Sequence, residues 1–358
     1  MQPLFFTLIH MKIIKKTILI LIALSMALSL VSCAPSPKKD ERQRYSCDIW
    51  DSFDTVITVM AFCENEDEFK EIESLAKESF KEYHQLFDIY NDYDGIANVK
   101  TVNDNAGAAP VKVSKEIIDL IKLGKELYDE SSGNVNIAFG SVLKIWHEAR
   151  EAAEDDPGKA YVPEIEELKA AAQHCDINDV VIDESESTVY LSDPEMSLDV
   201  GAIAKGLAAE LVADKLKAQG FDCFLITAGT SSIKAVGKKP DGSSWTSAVE
   251  TDPDYDLLQI SDHSITTSGI YQRYYSVNGK MYHHIINKDT LMPEQNFMSV
   301  TLITDDCGYG DGLATAIFNM SLEEGLAFVD SRSDVYGMWV GIDGSKVFSK
   351  GFEDFIRK

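Results

Sequence analysis

The stretch SLDVGAIAKGLAAELVADKLKAQGFDCFLITA, residues 197–228, sets the fold of this chain. From Ala202 to Gln219 its apolar residues recur at helical spacing, which predicts an amphipathic helix. The flanking segments, Ser197–Val200 and Phe221–Thr227, are short and apolar and predict strands, the second of them buried. A helix between two strands is therefore the unit around which the other elements are arranged.

Further helices and strands are predicted on both sides of this unit. Apolar residues at helical spacing predict helices at Glu66–Tyr90, Lys115–Asp129, Pro163–His174, Gly312–Met320 and Ser321–Asp330. Alternating or β-branched residues predict strands at Asp54–Val59, Thr188–Leu191, Trp245–Glu250, Leu257–Ile260, Arg273–Val277, Met281–Ile286, Met298–Thr304, Tyr336–Ile342 and Lys346–Phe348. An acidic, exposed insertion is expected around residues 151–158. Helices and hairpins alternate without a strict βαβ cadence, so the fold class is α+β, with mixed or antiparallel sheets packed with helices.

The N-terminus is typical of an exported lipoprotein. Three lysines within residues 12–16 precede an uncharged apolar run, 17–31, that is too short to span a bilayer comfortably. The run ends in Leu-Val-Ser-Cys at Cys33, the pattern at which a lipoprotein signal peptidase cuts. We expect a signal peptide at 1–32, a lipidated Cys33 with a flexible tether at 33–46, and a folded domain at 47–358. The protein would then be extracytoplasmic and lipid-anchored; an uncleaved anchor helix is the alternative.

Charge and cysteine content narrow the classes of function. The chain of 358 residues carries a formal net charge of −26, which argues against a nucleic-acid partner. An anionic ligand would need local help from a metal ion or from helix N-termini. Besides Cys33, five cysteines are scattered without the spacing of a zinc site. Their spacing leaves open whether any of them, such as Cys47 and Cys63, form a disulfide.

Residues 197–206 are the first segment that could carry chemistry. A predicted strand delivers Asp199 to a glycine-containing turn that opens a helix, with Lys205 one turn inside it. Backbone N–H groups at a helix start can hold a phosphate, which Lys205 could neutralise, and Asp199 could accept from a ligand. The residues fit equally a plain junction in which Asp199 bonds backbone donors.

Residues 310–316, GDGLATA, are the second such segment. Asp311 and Thr315 are four residues apart and share one face of the predicted helix. A carboxylate and a hydroxyl would be a sensible partial set of ligands for Mg²⁺, a hard ion that keeps water and phosphate as its other ligands. The alternative is that Asp311 caps the helix and Thr315 bonds a helix carbonyl.

Two further segments lie between these. In MYHHIIN, residues 281–287, neighbouring strand residues face opposite sides, so one histidine at most can face a given site. Such a histidine near a metal-bound phosphate could act as a general base. The turn TTSGIYQR, residues 266–273, could close around a nucleotide or be an ordinary hairpin.

Taken in order, these segments resemble the ApbE family of FAD:protein FMN transferases from about Trp50 to the C-terminus. The family's DLGAIAKG, SGDYxRxF, HHIIDPxTGxP and ADALATA motifs correspond here to SLDVGAIAKG (197–206), SGIYQRY (268–274), HHIINKDTLMP (283–293) and GDGLATA (310–316). Leu86–Tyr90 with Asn103, and Ser132–Leu143 with Trp146, are similar to upstream family motifs. The resemblance implies an ApbE-like, T-fold-like domain.

The resemblance also implies roles for individual residues. Asp311, Thr315 and the backbone carbonyl of Ala202 correspond to the metal ligands. His284 corresponds to the base that deprotonates an acceptor hydroxyl, and His284 and Asp311 are the candidate catalytic pair. Flavin-contact positions correspond to Phe53, Tyr90, Asn134, Val135, Asn136, Asp199, Lys205 and Ile285, with Tyr90 stacking on the flavin.

The implied activity is transfer of FMN from FAD to a Thr or Ser hydroxyl of an exported electron-transfer protein. It would depend on Mg²⁺ or Mn²⁺ and release AMP. The sequence departs from the family at Ala228–Ser232, where a Gly-Gly-Asp is usual, at Val135-Asn136 and at Asn287-Lys288. Two other interpretations therefore stay open: an Mg²⁺-dependent FAD pyrophosphatase and a flavin-binding lipoprotein without chemistry. A solute-binding lipoprotein fits less well, because two βαβ-rich lobes are not evident.

Overall fold

The structure is a computed structural model that describes residues 40–251, 255–271 and 273–357. Its contacts divide the chain into Met1–Glu41 and a compact unit, Arg42–Lys358. The expected signal peptide and Cys33 lie outside the described residues. The expected tether, 33–46, overlaps the first strand, which begins at Gln43, so the sheet includes four residues that were assigned to the tether.

The helices of the described chain are named α1 to α8 in chain order. They are Glu66–Phe87 (α1), Val99–Asp104 (α2), Lys115–Glu130 (α3), Gly140–Asp155 (α4), Ile165–Ala171 (α5), Ala204–Ala218 (α6), Cys307–Phe318 (α7) and Leu322–Asp330 (α8). Short 3₁₀ turns connect several of them. Within the described residues, no helix is long and apolar enough to cross a membrane.

The strands are named β1 to β15. They are Gln43–Ser52 (β1), Thr55–Cys63 (β2), Val111–Lys112 (β3), Val180–Asp183 (β4), Thr188–Leu191 (β5), Phe224–Ala228 (β6), Ser232–Val236 (β7), Trp245–Glu250 (β8), Tyr255–Ile260 (β9), Ser264–Gly269 (β10), Tyr274–Val277 (β11), Lys280–His283 (β12), Phe297–Thr304 (β13), Tyr336–Gly341 (β14) and Lys346–Phe348 (β15).

Eight of the strands in the described chain form one sheet in the order β1-β2-β6-β7-β10-β13-β14-β15. Every neighbouring pair in it is antiparallel. The pairs β11–β12 and β8–β9 and the three-stranded β3-β5-β4 form smaller sheets. Antiparallel sheets with helices agree with the predicted α+β class and with the ApbE-like architecture.

Side chains of the central strand β6 show why both faces of this sheet are covered. Phe224 and Ile226 point to the core under the helices, whereas Leu225 points to a second core that contains Trp245 and Phe352. Because successive residues of a strand face opposite sides, a strand buried on both sides is apolar throughout. The sequence FLITA meets this requirement at four of its five positions, and the fifth, Thr227, is only half-buried.

Helices α6 and α7 pack against each other on the site-bearing face. Gly206 allows the contact, because a Cβ at this position would lie 2.3 Å from the carbonyl oxygen of Cys307. A salt bridge beneath the contact joins Glu210 to Lys234, whose atoms lie 2.9 Å apart, and Glu210 also accepts a bond from the Cys307 N–H at 2.8 Å. Burial raises the pKa of the Glu210 carboxyl, and Lys234 opposes this. The two helices therefore meet in a fixed register.

Several predicted elements need correction. Ser197–Val200 is extended but belongs to no strand, because its backbone bonds helix-side partners such as Gly140 and Ile137 instead of a sheet. The expected insertion around residues 151–158 begins inside α4. The strand predicted over Met281–Ile286 ends at His283, and α7 begins at Cys307, five residues before the predicted start.

The described cysteines are free thiols. Cys47 pairs in register with Val59, and Cys63 with Gln43, so the two thiols of the suggested disulfide do not face each other. Cys47, Cys63, Cys175, Cys223 and Cys307 are unbridged. Packing and hydrogen bonds, without a disulfide between these five, hold the described unit together.

Candidate active site

A cavity of about 470 Å³ opens between the turn before α6, the face of α7 and the loops around them. Segments distant in sequence meet there. Its lining includes every predicted site residue: Phe53, Tyr90, Asn134, Val135, Asn136, Asp199, Ala202, Lys205, His284, Ile285, Asp311 and Thr315. The structure therefore brings the whole predicted set together around one space.

Asp311 lies at the buried end of this cavity. It is the fifth residue of α7, and the cap of that helix is Asp306, whose side chain accepts from the Tyr309 N–H. The interpretation of Asp311 as a helix cap is therefore wrong. Its Oδ1 accepts from Ser232 Oγ at 3.0 Å and its Oδ2 from the Gly206 N–H at 2.9 Å. These two donors fix the plane of the carboxylate.

The charge of Asp311 is only partly balanced. Lys205 Nζ lies 4.0 Å from its Oδ2, at the long limit of an ion pair. Burial raises the pKa of the Asp311 carboxyl, and Lys205 is the largest opposing influence. Lys205 is the second residue of α6, in its first turn, rather than one turn inside as the sequence suggested. A buried carboxylate with one distant cation has room for another positive charge.

Thr315 follows Asp311 by one helical turn. Its hydroxyl lies 3.1 Å from Ser268 Oγ at the end of β10. Asp311, Thr315 and the carbonyl of Ala202 are all oxygen donors, the set that Mg²⁺ prefers. In the described ranges, no three His, Cys, Asp or Glu side chains come together as a metal cluster. The donors present fit a hard divalent ion whose remaining ligands are water or phosphate.

His283 and His284 face different environments, as predicted, although the strand ends at His283 and His284 lies in the bend after it. His283 is buried, with Nε2 against the Glu294 carbonyl and Nδ1 accepting from the Ile285 N–H at 3.2 Å. His284 lines the cavity, and its Nδ1 is buried without a hydrogen-bond partner in the described structure. Burial, and then the charge of Arg273, lowers the pKa of His284 to about 3. The ring is therefore neutral near pH 7 and able to accept a proton.

Asp199 and Tyr90 both lie next to His147, a residue that the sequence did not single out. Asp199 Oδ1 accepts from the Gly201 N–H at 2.8 Å, as in the plain-junction interpretation, but Oδ2 lies 4.0 Å from His147 Nε2. The Tyr90 hydroxyl lies 2.7 Å from His147 Nδ1. His147 comes directly after Trp146, and that adjacency to a family-like segment was its one available signal.

The remaining predicted flavin positions form a wall of mostly backbone and apolar groups. Asn134 and Asn136 use their side-chain amides locally, donating to the carbonyls of Ser131 and Cys175. Val135 and Ile285 are buried and apolar. Phe53 has a positive φ of 58° and packs edge-on against His84. These residues can contact a planar ring without offering side-chain charge.

The cations at the cavity include two that were not in the predicted set. Arg273 and Lys288 line it together with Lys205. They share the lining with four aspartates, among them Asp199 and Asp311, and in a chain of net charge −26 they are the groups that can meet an anionic ligand. Arg273 was noted only as part of a turn. Ser232, which donates to Asp311, was noted only within the segment that departs from the family's Gly-Gly-Asp, and no role was predicted for it.

Comparisons with known proteins agree with this picture. The model of the ApbE family matches residues 53–339. The chain is 30% identical to an "FAD:protein FMN transferase" of Klebsiella pneumoniae over 275 residues, which is 75% of this chain and 82% of that one. A Vibrio cholerae protein with the same description is also 30% identical, over 290 residues, covering 77% of this chain and 84% of its own.

Solved structures share the fold. The ApbE protein of Thermotoga maritima superposes with a TM-score of 0.77 at 23% identity, covering 88% of this chain and 100% of that one. The apo form of the flavinyl transferase ApbE of Pseudomonas stutzeri gives a TM-score of 0.73 at 22% identity, covering 89% and 98%. At these identities the likeness concerns the fold.

Proposed function

This chain belongs to the ApbE family, and from that premise we propose that it is an FAD:protein FMN transferase that uses Mg²⁺ to flavinylate a Thr or Ser hydroxyl. FAD is the donor substrate, and a second protein is the acceptor. The observation that carries the proposal is the placing of Asp311 and Thr315, Lys205, and a neutral His284 around one cavity. Mn²⁺ would fit the same oxygen donors.

The reaction exchanges one bond to phosphorus for another. The acceptor oxygen forms a bond to the FMN phosphorus, the bond from that phosphorus to the bridging oxygen breaks, and AMP leaves. His284 takes the hydroxyl proton at its ring. Anionic phosphates beside His284 would raise the pKa of its ring above the low value that burial and Arg273 give it, and this would make it a stronger base when substrate is bound.

The other residues would bind the substrate and neutralise its negative charge. Asp311, Thr315 and the Ala202 carbonyl would hold Mg²⁺, which supplies positive charge next to the pyrophosphate when it is bound. Lys205 and Arg273 add charge on the same side of the cavity. Tyr90, Phe53 and Ile285 offer surfaces for the flavin ring. Most of the catalysis would come from positioning and charge neutralisation, as in other phosphoryl transfers.

We also propose that the protein works outside the cytoplasm, held to a membrane by lipid on Cys33. The positive and apolar leader that ends in Leu-Val-Ser-Cys supports this location. The acceptor would then be an exported electron-transfer protein.

The test uses the chain that starts after Cys33, with FAD, Mg²⁺ and an exported flavoprotein domain that bears an acceptor Thr. We expect the acceptor to gain the mass of FMN less one water, as a phosphoester requires, and to gain nothing when EDTA is present during the incubation. Asp311→Ala should reduce the rate about 100-fold or more, because several kcal/mol of charge stabilisation depend on the bound ion. Asp305→Ala, an exposed carboxylate just before α7, is the matched control.

The outcomes separate the alternatives. AMP release without a mass gain on the acceptor would identify an FAD pyrophosphatase. Tight flavin binding without AMP release would identify a flavin carrier. Full activity of Asp311→Ala would refute the metal assignment.

A further inference from the structure

We propose that His147 is a positioning residue that fixes the Tyr90 ring as a wall of the flavin site. The inference rests on the proposed function, because it concerns how that site binds FAD. It adds a residue that lies outside the family-like motifs of this chain.

Hydrogen bonds fix the backbone of Tyr90, whereas its ring is largely exposed. Asp88 Oδ1 accepts from the Tyr90 N–H at 2.6 Å and from the Asn91 N–H at 3.1 Å, so the loop after α1 is tied to one carboxylate. The residue nevertheless remains 57% exposed. An exposed aromatic ring on a fixed backbone can still change rotamer. Its hydroxyl bond to His147 Nδ1, at 2.7 Å, is the contact that selects one position.

His147 is itself rigidly mounted. It lies on α4, next to Trp146, which is buried and donates its indole N–H to the Leu291 carbonyl at 3.0 Å. The His147 side chain is 23% exposed and lines the cavity. A side chain that extends from a helix anchored in this way can hold a mobile partner in place.

The protonation of the pair gives the bond its direction. The ring of Tyr90 is exposed, but its hydroxyl is held against His147. Desolvation of this hydroxyl, and then the negative charge of Asp199, raise the pKa of Tyr90, so the hydroxyl keeps its proton and donates to His147 Nδ1. Burial also lowers the pKa of His147, against the influence of Asp199. A neutral His147 that accepts at Nδ1 carries its proton on Nε2, and this N–H faces Asp199 Oδ2 at 4.0 Å. The Tyr90–His147 bond links the loop after α1 to helix α4, and the longer His147–Asp199 contact adds the turn before α6.

A ring held in advance does not have to be ordered when the flavin binds. Immobilising a side chain on binding weakens affinity by a few-fold, so loss of the Tyr90–His147 bond should raise the Kd for FAD by about 3- to 10-fold. Stacking contributes equally to substrate and transition state, so KM for FAD should rise while kcat stays within about twofold.

The experiment compares Tyr90→Phe, which removes only the hydroxyl, with His147→Phe, which removes both ring nitrogens but keeps an aromatic ring. Each protein is titrated with FAD, and quenching of flavin fluorescence is followed. We expect both single variants to bind FAD about 3- to 10-fold more weakly and the double variant to be no weaker than either, because all three lack the same bond. His147→Gln should partly restore affinity. His263→Phe, a histidine that packs against Phe355 away from the cavity, is the control.

The results that overturn the inference are distinct from those that overturn the proposed function. If the unmodified protein binds FAD and both single variants bind it equally well, His147 does not position Tyr90. Additive losses in the double variant would also overturn the inference. If the unmodified protein does not bind FAD, the proposed function fails and this inference fails with it.

Discussion

Ser232 holds one oxygen of Asp311, and Gly206 holds the other. Partners of a metal-binding carboxylate typically change metal affinity by about 10- to 100-fold, because they set its orientation. We therefore expect Ser232→Ala to raise the Mg²⁺ concentration needed for half-maximal FMN transfer by about tenfold, with a smaller change at saturating Mg²⁺.

The matched control for this prediction is Ser264→Ala. Ser264 is equally buried on the neighbouring strand β10, but its hydroxyl has no hydrogen-bond partner in the described residues. Its removal should leave the Mg²⁺ dependence unchanged. Equal Mg²⁺ curves for Ser232→Ala and the unmodified protein would show that Ser232 does not orient Asp311.

His284 makes stability depend on pH. Its pKa is about 3 in the folded protein against 6.5 for an ordinary histidine, so the unfolded chain binds more protons between these values. The contribution of His284 to the free energy of unfolding is therefore fully present above pH 6.5. It is lost as the pH falls toward 3, by at most about 1.4 kcal/mol per pH unit. His147 and His283, whose pKa values burial also lowers, act in the same direction.

Urea unfolding at pH 5 and pH 7 measures this effect. We expect His284→Gln to reduce the difference in unfolding free energy between the two pH values, whereas His263→Gln provides a histidine-to-glutamine comparison away from the cavity. An unchanged difference in His284→Gln would mean that the ring is charged or solvated in the folded state.

Among the elements, the contact between α6 and α7 leaves no room for a side chain at Gly206. A Cβ on Gly206 would lie 2.3 Å from the Cys307 carbonyl oxygen and 2.6 Å from Asp311 Cβ. Gly206→Ala should therefore lower the unfolding free energy by about 1–3 kcal/mol, as overpacked cores do, and should also weaken the Mg²⁺ response. Urea denaturation and FMN transfer report the two effects.

Gly158→Ala is a suitable comparison for that change. A Cβ there would meet only the exposed Asp156 side chain, at 3.2 Å, which can move aside. Its effect should stay within about 0.5 kcal/mol. If Gly206→Ala were as mild, the two helices would have to separate more easily than their buried contacts suggest.

The sequence predicts elements well where periodicity is strong and poorly where packing overrides propensity. Helices α1 and α3 match their predicted bounds within a few residues because each has a clear apolar face. The first half of α7 was missed because Gly308, Gly310 and Gly312 oppose helix formation. These glycines allow close contacts that exist only in the folded chain, such as that of Gly308 with the Leu207 backbone.

The site residues also divide into those that the sequence predicts and those that only the folded chain brings into contact. Residues within the family-like motifs, such as Asp311 and Lys205, could be named in advance because their order along the chain carries the resemblance. The roles of Ser232 and His147 could not be predicted, because each acts through a distant partner. Ser232 bonds Asp311, 79 residues away, and His147 bonds Tyr90, 57 residues away. Spacing along a sequence does not encode such contacts.

At the scale of the whole molecule, the folded unit begins earlier than the expected boundary at residue 47. Tyr45 stacks on Phe69 with ring centroids 5.5 Å apart, and the Arg42 guanidinium pairs with Asp222. A protein that starts at Cys47 should therefore melt about 2–6 °C below one that starts at Arg42. Thermal unfolding followed by circular dichroism tests this, and identical melting curves would place the boundary at residue 47 after all.

The large sheet adds its strands in the order in which they occur along the chain, from β1 to β15, and the remaining elements are inserted between them. Each strand can therefore pair, as it is synthesised, with an edge strand that was made before it. The cavity is completed later than most of the sheet, because Gly206 and Asp311 are 105 residues apart and α7 follows all but two of the fifteen named strands. A growing chain has no complete nucleotide pocket until α7 has been made, so the protein can bind its flavin nucleotide only after that helix has joined the fold.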